Sequence, residues 1–108
     1  MSTRHELYTI NNVPGKEIVE VLGYVKGSTV QTRHVGKDIL AGFKTLVGGE
    51  INSYTEMMDS ARKIATERLL KDAEELGANA VVGFRLQSSQ VMQGAAEIIA
   101  YGTAVVIK

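Results

Sequence analysis

The chain has 108 residues, with 12 Lys+Arg balanced by 12 Asp+Glu, which is room for one domain over 1–108 with its own core. The charges interleave, as in Arg62-Lys63, Glu67-Arg68 and Lys71-Asp72, without the basic excess or stripe of a protein that binds nucleic acid. The absence of cysteine excludes disulfides, thiolate metal sites, iron–sulfur clusters and Cys nucleophiles. No run approaches the ~20 apolar residues of a membrane span or the apolar stretch of a signal peptide, which places the expected site of action in the cytoplasm.

Taken in chain order, Leu7, Tyr8, Thr9 and Ile10 have the character of a short strand. Asn11-Asn12-Val13-Pro14-Gly15 reads as a turn, with Pro14 setting one dihedral and Gly15 relieving the next. Residues 17–32 are rich in β-branched side chains. Their alternating sets, Val19, Val21, Gly23, Val25 and Ile18, Glu20, Leu22, Tyr24, are both mostly apolar, which predicts a long strand covered on both faces. Over 36–47 the period becomes helical: Ile39, Leu40, Phe43, Leu46 and Val47 form one stripe, and Gly48-Gly49 is suited to end that short helix.

Ser53-Tyr54-Thr55-Glu56 has the form of a capping box and predicts a long helix over 54–76. Its apolar face carries Met57, Met58, Ala61, Ile64, Ala65, Leu69, Ala73 and Leu76. The opposite face holds acid-to-Lys pairs at i,i+4, Asp59–Lys63 and Glu67–Lys71, and Gly77 stands at the C′ position. Two strands follow, over 80–86 and 97–107. Between them 87–94 is polar apart from Val91 and Met92, either a hairpin connection or the far ends of two long strands.

The last strand bears on assembly. Ile98, Ala100, Gly102, Ala104 and Val106 alternate with Ile99, Tyr101, Thr103, Val105 and Ile107, and neither set contains a charge. The helices can cover one face of the sheet, and a bare second face would be a contiguous apolar patch of the kind that marks interfaces. Self-association is therefore expected. The alternative is a monomer whose second face is closed by the short helix and the N-terminal segment.

Several blocks occur in order along the chain: Ala41-Gly42-Phe43, Leu46-Val47-Gly48-Gly49-Glu50, Ser53-Tyr54, Ala61-Arg62, Leu76-Gly77-Ala78-Asn79-Ala80-Val81-Val82-Gly83 and Tyr101-Gly102-Thr103-Ala104-Val105. Together they resemble the YbjQ-like family of small, uncharacterised prokaryotic proteins. The resemblance implies an α+β, dodecin-like subunit, expected here as an antiparallel sheet packed on one long and one short helix. It also implies assembly as a pentameric ring that can stack into a decamer. The family carries a heavy-metal-binding label and no established reaction, so no catalytic residue is carried over.

Soft metals favour Cys or clustered His, whereas His5 and His34 stand alone, and Met57 and Met58 fit the core face of the long helix. No Gly-x-Ser-x-Gly elbow is present, and Ser88-Ser89 has no nearby His. Glu74 and Glu75 are adjacent on a helix and point to different sides. Two features are candidates for a small anionic ligand. The first is Gly48-Gly49-Glu50 leading to the amides capped by Ser53, since helix N-termini attract anions. The second is Arg85, which interrupts an apolar strand. The expected function is a non-enzymatic homo-oligomer that binds a small ligand or a metal ion, with no cofactor assigned, no nucleic-acid or membrane partner, and ligand contacts at Gly48, Gly49, Glu50, Ser53 and Arg85. The alternatives are a ligand-free structural or protein-interaction module and, last, an enzyme with a site shared between subunits.

Overall fold

The computed structural model of the chain describes residues 6–32, 49–92 and 95–108, and within the helix it describes side chains from Thr55 onward. These residues form β1 (Glu6–Leu7), β2 (Ile18–Thr32), the helix α1 (Gly49–Leu76), β3 (Ala80–Met92) and β4 (Ala95–Ile107). The sheet order is β1-β3-β4-β2. Strand β4 is central and antiparallel to both β2 and β3, while β1 runs parallel to β3.

Strand β4 is the centre because no residue from Ala95 to Ile107 except Glu97 is charged, and such a stretch favours neighbours on both sides. Its even-numbered side chains face α1. Ile98, Ala100 and Ala104 join Val25, Val81, Ala61, Ala65, Leu69 and Ala73 in one buried cluster. The helix contributes a straight i, i+4 stripe of three alanines and one leucine, so its backbone comes close to the sheet. Gly27 on β2 makes the approach possible, since a Cβ there would run into the backbone of Ala65, Arg68 and Leu69.

The helix ends as its sequence predicts. Gly77 has φ +89°, its N–H donates to Glu74 C=O (3.0 Å), and Ala78 N–H donates to Ala73 C=O (3.1 Å), the pairing of a Schellman motif.

A second cluster, Val13, Ala80, Val82, Val105 and Ile107, with Tyr8 and Ile18 against it, lies on the face away from α1. The N-terminal segment builds it. After β1 the chain continues beside β3, with Tyr8 N–H donating to Val81 C=O (2.8 Å), Phe84 N–H to Tyr8 C=O (2.9 Å) and Gly83 N–H to Ile10 C=O (3.0 Å). It then turns at Pro14-Gly15, where Lys16 N–H donates to Val13 C=O (3.0 Å) and Gly15 takes φ +79°, a type II arrangement. The turn leads across the sheet end to β2, at the opposite edge.

Several expectations are corrected here. The sheet is mixed rather than antiparallel. Strands β1 and β2 run in the same direction at opposite edges, so the chain must cross over between them, and it does so across the face away from α1. One helix packs on the sheet among the described residues, not a long and a short one; the short helix expected over 36–47 lies outside those residues. The topology gives no support to a dodecin-like subunit or a ring, and both expectations are withdrawn. Helix α1 begins at Gly49, so Ser53 sits in its second turn instead of capping it. Strand β2 is an edge strand with only Val25, Gly27 and Thr29 buried, not a strand covered on both sides. Strand β3 extends to Met92, so the polar stretch after Leu86 is strand rather than a loop.

Candidate functional site

The surface features that could meet a ligand or partner fall on the two faces of the sheet. On the helix side, α1 packs mainly over β2 and β4 and leaves the far half of β3 uncovered. The result is a shallow recess of about 130 Å³ lined by Met58, Arg62, Leu86, Gln87, Ser88 and Ile98. A typical small-molecule site has roughly 300–1,000 Å³, so a single chain offers little enclosure there. The one charged group, Arg62, is paired with Asp59 at 2.6 Å. Among the described side chains of α1 this i,i+3 pair is the ion pair seen, where Asp59–Lys63 was expected. The pair is exposed and adds little stability.

Among the described residues, the face away from α1 is closed only at one end. There the N-terminal segment covers Val105 and Ile107 of β4, which end up buried. Further along β4, Thr103, Tyr101 and Ile99 are only half-buried. Beside them on β2, Tyr24 lies opposite Thr103 and Val21 opposite Val105, and these two are 67% and 65% exposed, with Val30 at 54%. Lys26 and Ser28 sit between the apolar residues on the same face. Their presence is the sequence signal that this side of β2 is wet.

The described ligand candidates lie on two different elements, α1 and β3. Gly49 and Glu50 open α1 and Ser53 lies one turn further in, while Gly48 is outside the described residues. Arg85 pairs opposite Tyr101, on the face away from the helix. Its guanidinium donates to Thr9 C=O (2.9 Å) and Phe84 C=O (2.8 Å), which ties the N-terminal segment to β3. Just before it, Gly83 (φ +64°) forms part of a register shift between Val82 and Arg85, a bulge that re-aims the strand. Tyr8 donates its hydroxyl to the Glu6 carboxylate. This hydrogen bond, followed by burial and the carboxylate charge, raises the phenol above its ordinary value of 10.0.

Sequence reasoning did not single out Asn79. Its side chain acts as an extra strand residue beyond β3: Oδ1 accepts from Ile107 N–H (2.8 Å) and Nδ2 donates to Ile107 C=O (2.9 Å). The available signal was its place in the block from Leu76 to Gly83, a helix stop running directly into a strand.

Fold and surface define a class: a small α+β chain with one described helix on a mixed sheet, apolar sheet surface left exposed, and no assembled acid/base or nucleophile set among the described residues. The chain belongs to the YbjQ_1 family, described as "Putative heavy-metal-binding", whose model matches residues 6–108. It is 62% identical over 102 residues to a UPF0145 protein of Halalkalibacterium halodurans, covering 94% of this chain and 96% of that one. It is 60% identical over 97 residues to a UPF0145 protein of Thermotoga maritima, covering 90% and 92%. A crystal structure of a DUF74-family protein of unknown function from Pediococcus pentosaceus superposes with a TM-score of 0.62 at 18% identity, covering 96% of this chain and 98% of that one; the likeness is one of fold.

The family description raises the question of a metal. Among the described residues no group of three or more His, Cys, Asp or Glu is placed to hold one, the chain has no Cys, and His5 and His34 lie outside those residues. The described donor set therefore does not fit a soft heavy-metal ion. No described helix is long and apolar enough to cross a membrane.

Proposed function

We propose that this protein is a non-catalytic homo-oligomer whose ligand contacts are completed between copies rather than within one chain. The observation that carries this reading is the half-open sheet face. Tyr24, Val21 and Val30 are more than half exposed beside the half-buried Ile99 and Tyr101. Exposed apolar side chains gathered on one face, here interrupted by Lys26 and Ser28, favour an interaction site, and at about 25 cal/mol per Å² their burial contributes several kcal/mol toward association. The small, one-sided recess beside Met58 and Leu86 supports the second half of the reading, because a second copy would supply the missing wall.

Native mass spectrometry on protein purified without added metal or chelator tests both halves. The expected result is a species at a whole multiple of the 11.7 kDa chain carrying a retained small mass. A monomer at micromolar concentration would overturn the reading. An oligomer without added mass would remove the ligand and leave a structural or protein-interaction module.

A further inference from the structure

On the face away from α1, Tyr101 of β4 lies opposite Lys26 of β2 on one side and Arg85 of β3 on the other. Two cations thus flank one aromatic ring in a single row across three adjacent strands. Lys26 and Arg85 are exposed and Tyr101 is half-buried. Among the described residues neither cation has a carboxylate within ion-pair distance; the ion pair seen, Arg62–Asp59, is on α1. Glu97, the acidic residue of β4 on this face, stands four residues along, roughly 14 Å away and beyond a Debye length of about 8 Å.

The neighbours of the row complete its chemistry. Tyr24 lies opposite Thr103, which makes it the diagonal neighbour of Tyr101, and such diagonals are within reach of aromatic side chains. It is 67% exposed, so a second ring faces outward beside the first. Arg85 is anchored rather than used up. Its Nη1 makes both of its bonds, to Thr9 C=O and Phe84 C=O, and the Nε and Nη2 donors of the fork have no partner among the described residues.

We propose that Lys26, Tyr101 and Arg85, with Tyr24 beside them, bind a small flat aromatic ring that carries an anionic group. The ring stacks on the tyrosines, and the anion takes hydrogen bonds from the ammonium and the guanidinium, the charge-assisted kind that is strongest. A bare inorganic anion would leave the rings unused, and a neutral ring would leave the cations unpaired. A nucleic-acid strand needs a positive track along its backbone, whereas this patch ends at Glu97 on one side and at Val21 and Val105 on the other. The patch lies on the opposite face from the recess beside Met58. It deepens the ligand half of the reading above, on which it rests for a second wall.

A ring with an anionic group can come as a nucleotide or as an aromatic carboxylate, so both are titrated by calorimetry: adenosine 5′-monophosphate and indole-3-acetate, beside adenosine and inorganic phosphate. At least one of the first two is expected to bind ~10-fold or more tighter than either control, and the tighter one names the source. Lys26→Gln, at an exposed position, should weaken it roughly 5- to 10-fold by removing a hydrogen bond to a charged group. Tyr101→Leu, checked for folding by circular dichroism, should weaken it about 10-fold through lost stacking. Lys63→Gln, which removes the same charge from α1, should leave it unchanged. If neither ligand outbinds adenosine and phosphate, or if Lys63→Gln weakens binding as much as Lys26→Gln, the site is wrong. Native mass spectrometry on the same samples separates the two readings: an oligomer that fails to bind sinks this site alone, and a monomer that binds sinks self-association alone.

Discussion

Asn79 and Tyr8 illustrate how much a single polar side chain does in this fold. Asn79 satisfies both backbone groups of Ile107 with one amide, and no side chain without both a donor and an acceptor can replace it. Asn79→Ala leaves a partly buried N–H and C=O unpaired, and a loss of about 1–3 kcal/mol is expected in urea denaturation. Tyr8 is half-buried against the second cluster, and its effect is read through pH. Its phenol titrates above its ordinary value because the Glu6 carboxylate accepts its proton in a hydrogen bond. A raised folded value favours the protonated state, so its contribution is present below the unfolded value near 10 and is lost as pH rises through the folded one. The urea midpoints of the wild type and Tyr8→Phe should therefore differ most below the ordinary phenol value and draw together as pH rises above it. A gap that widens with pH would contradict this account.

At the scale of elements, the contact of α1 with β2 depends on size. Ala61, Ala65 and Ala73 keep the helix low, and Gly27 lets the strand pass beneath it. Gly27→Ala inserts a methyl group against helix backbone, which cannot rotate away as a side chain can. It should destabilise by about 1–3 kcal/mol or more, again seen as a shift in the denaturation midpoint, with little change in far-ultraviolet circular dichroism. The helix stop at Gly77 was legible because it needs only the residue that takes positive φ, and the long helix was legible from its 3.6-residue period. Its start was not: the Ser53 capping box is a local preference, and the helix continues back to Gly49, beyond the pattern that suggested the cap.

For the whole molecule, the exposed apolar residues of the sheet face away from α1 are where the proposed self-association is tested. The double variant Val21→Lys, Tyr24→Glu replaces exposed apolar side chains that touch little in one chain. It should leave the monomer's unfolding midpoint within about 0.5 kcal/mol of wild type while lowering the apparent mass in sedimentation. An unchanged mass would mean that this face is not the contact.

The sequence by itself determined what short-range physics controls: α+β character, the long helix and its glycine stop, the Pro14-Gly15 turn, the uncharged central strand, and membership of the family through blocks spread along the chain. The tertiary structure decided what depends on residues far apart. Strand β1 lies parallel to β3 because the N-terminal segment crosses the face away from α1 to reach β2. The apolar run of β2 became an edge because β4 has only two sides and β3 takes the other. Arg85 became a tie to Thr9 because a bulge at Gly83 placed it beside that carbonyl. Periodicity records whether a face is apolar; only the packed chain determines which neighbour covers it and which part is left open.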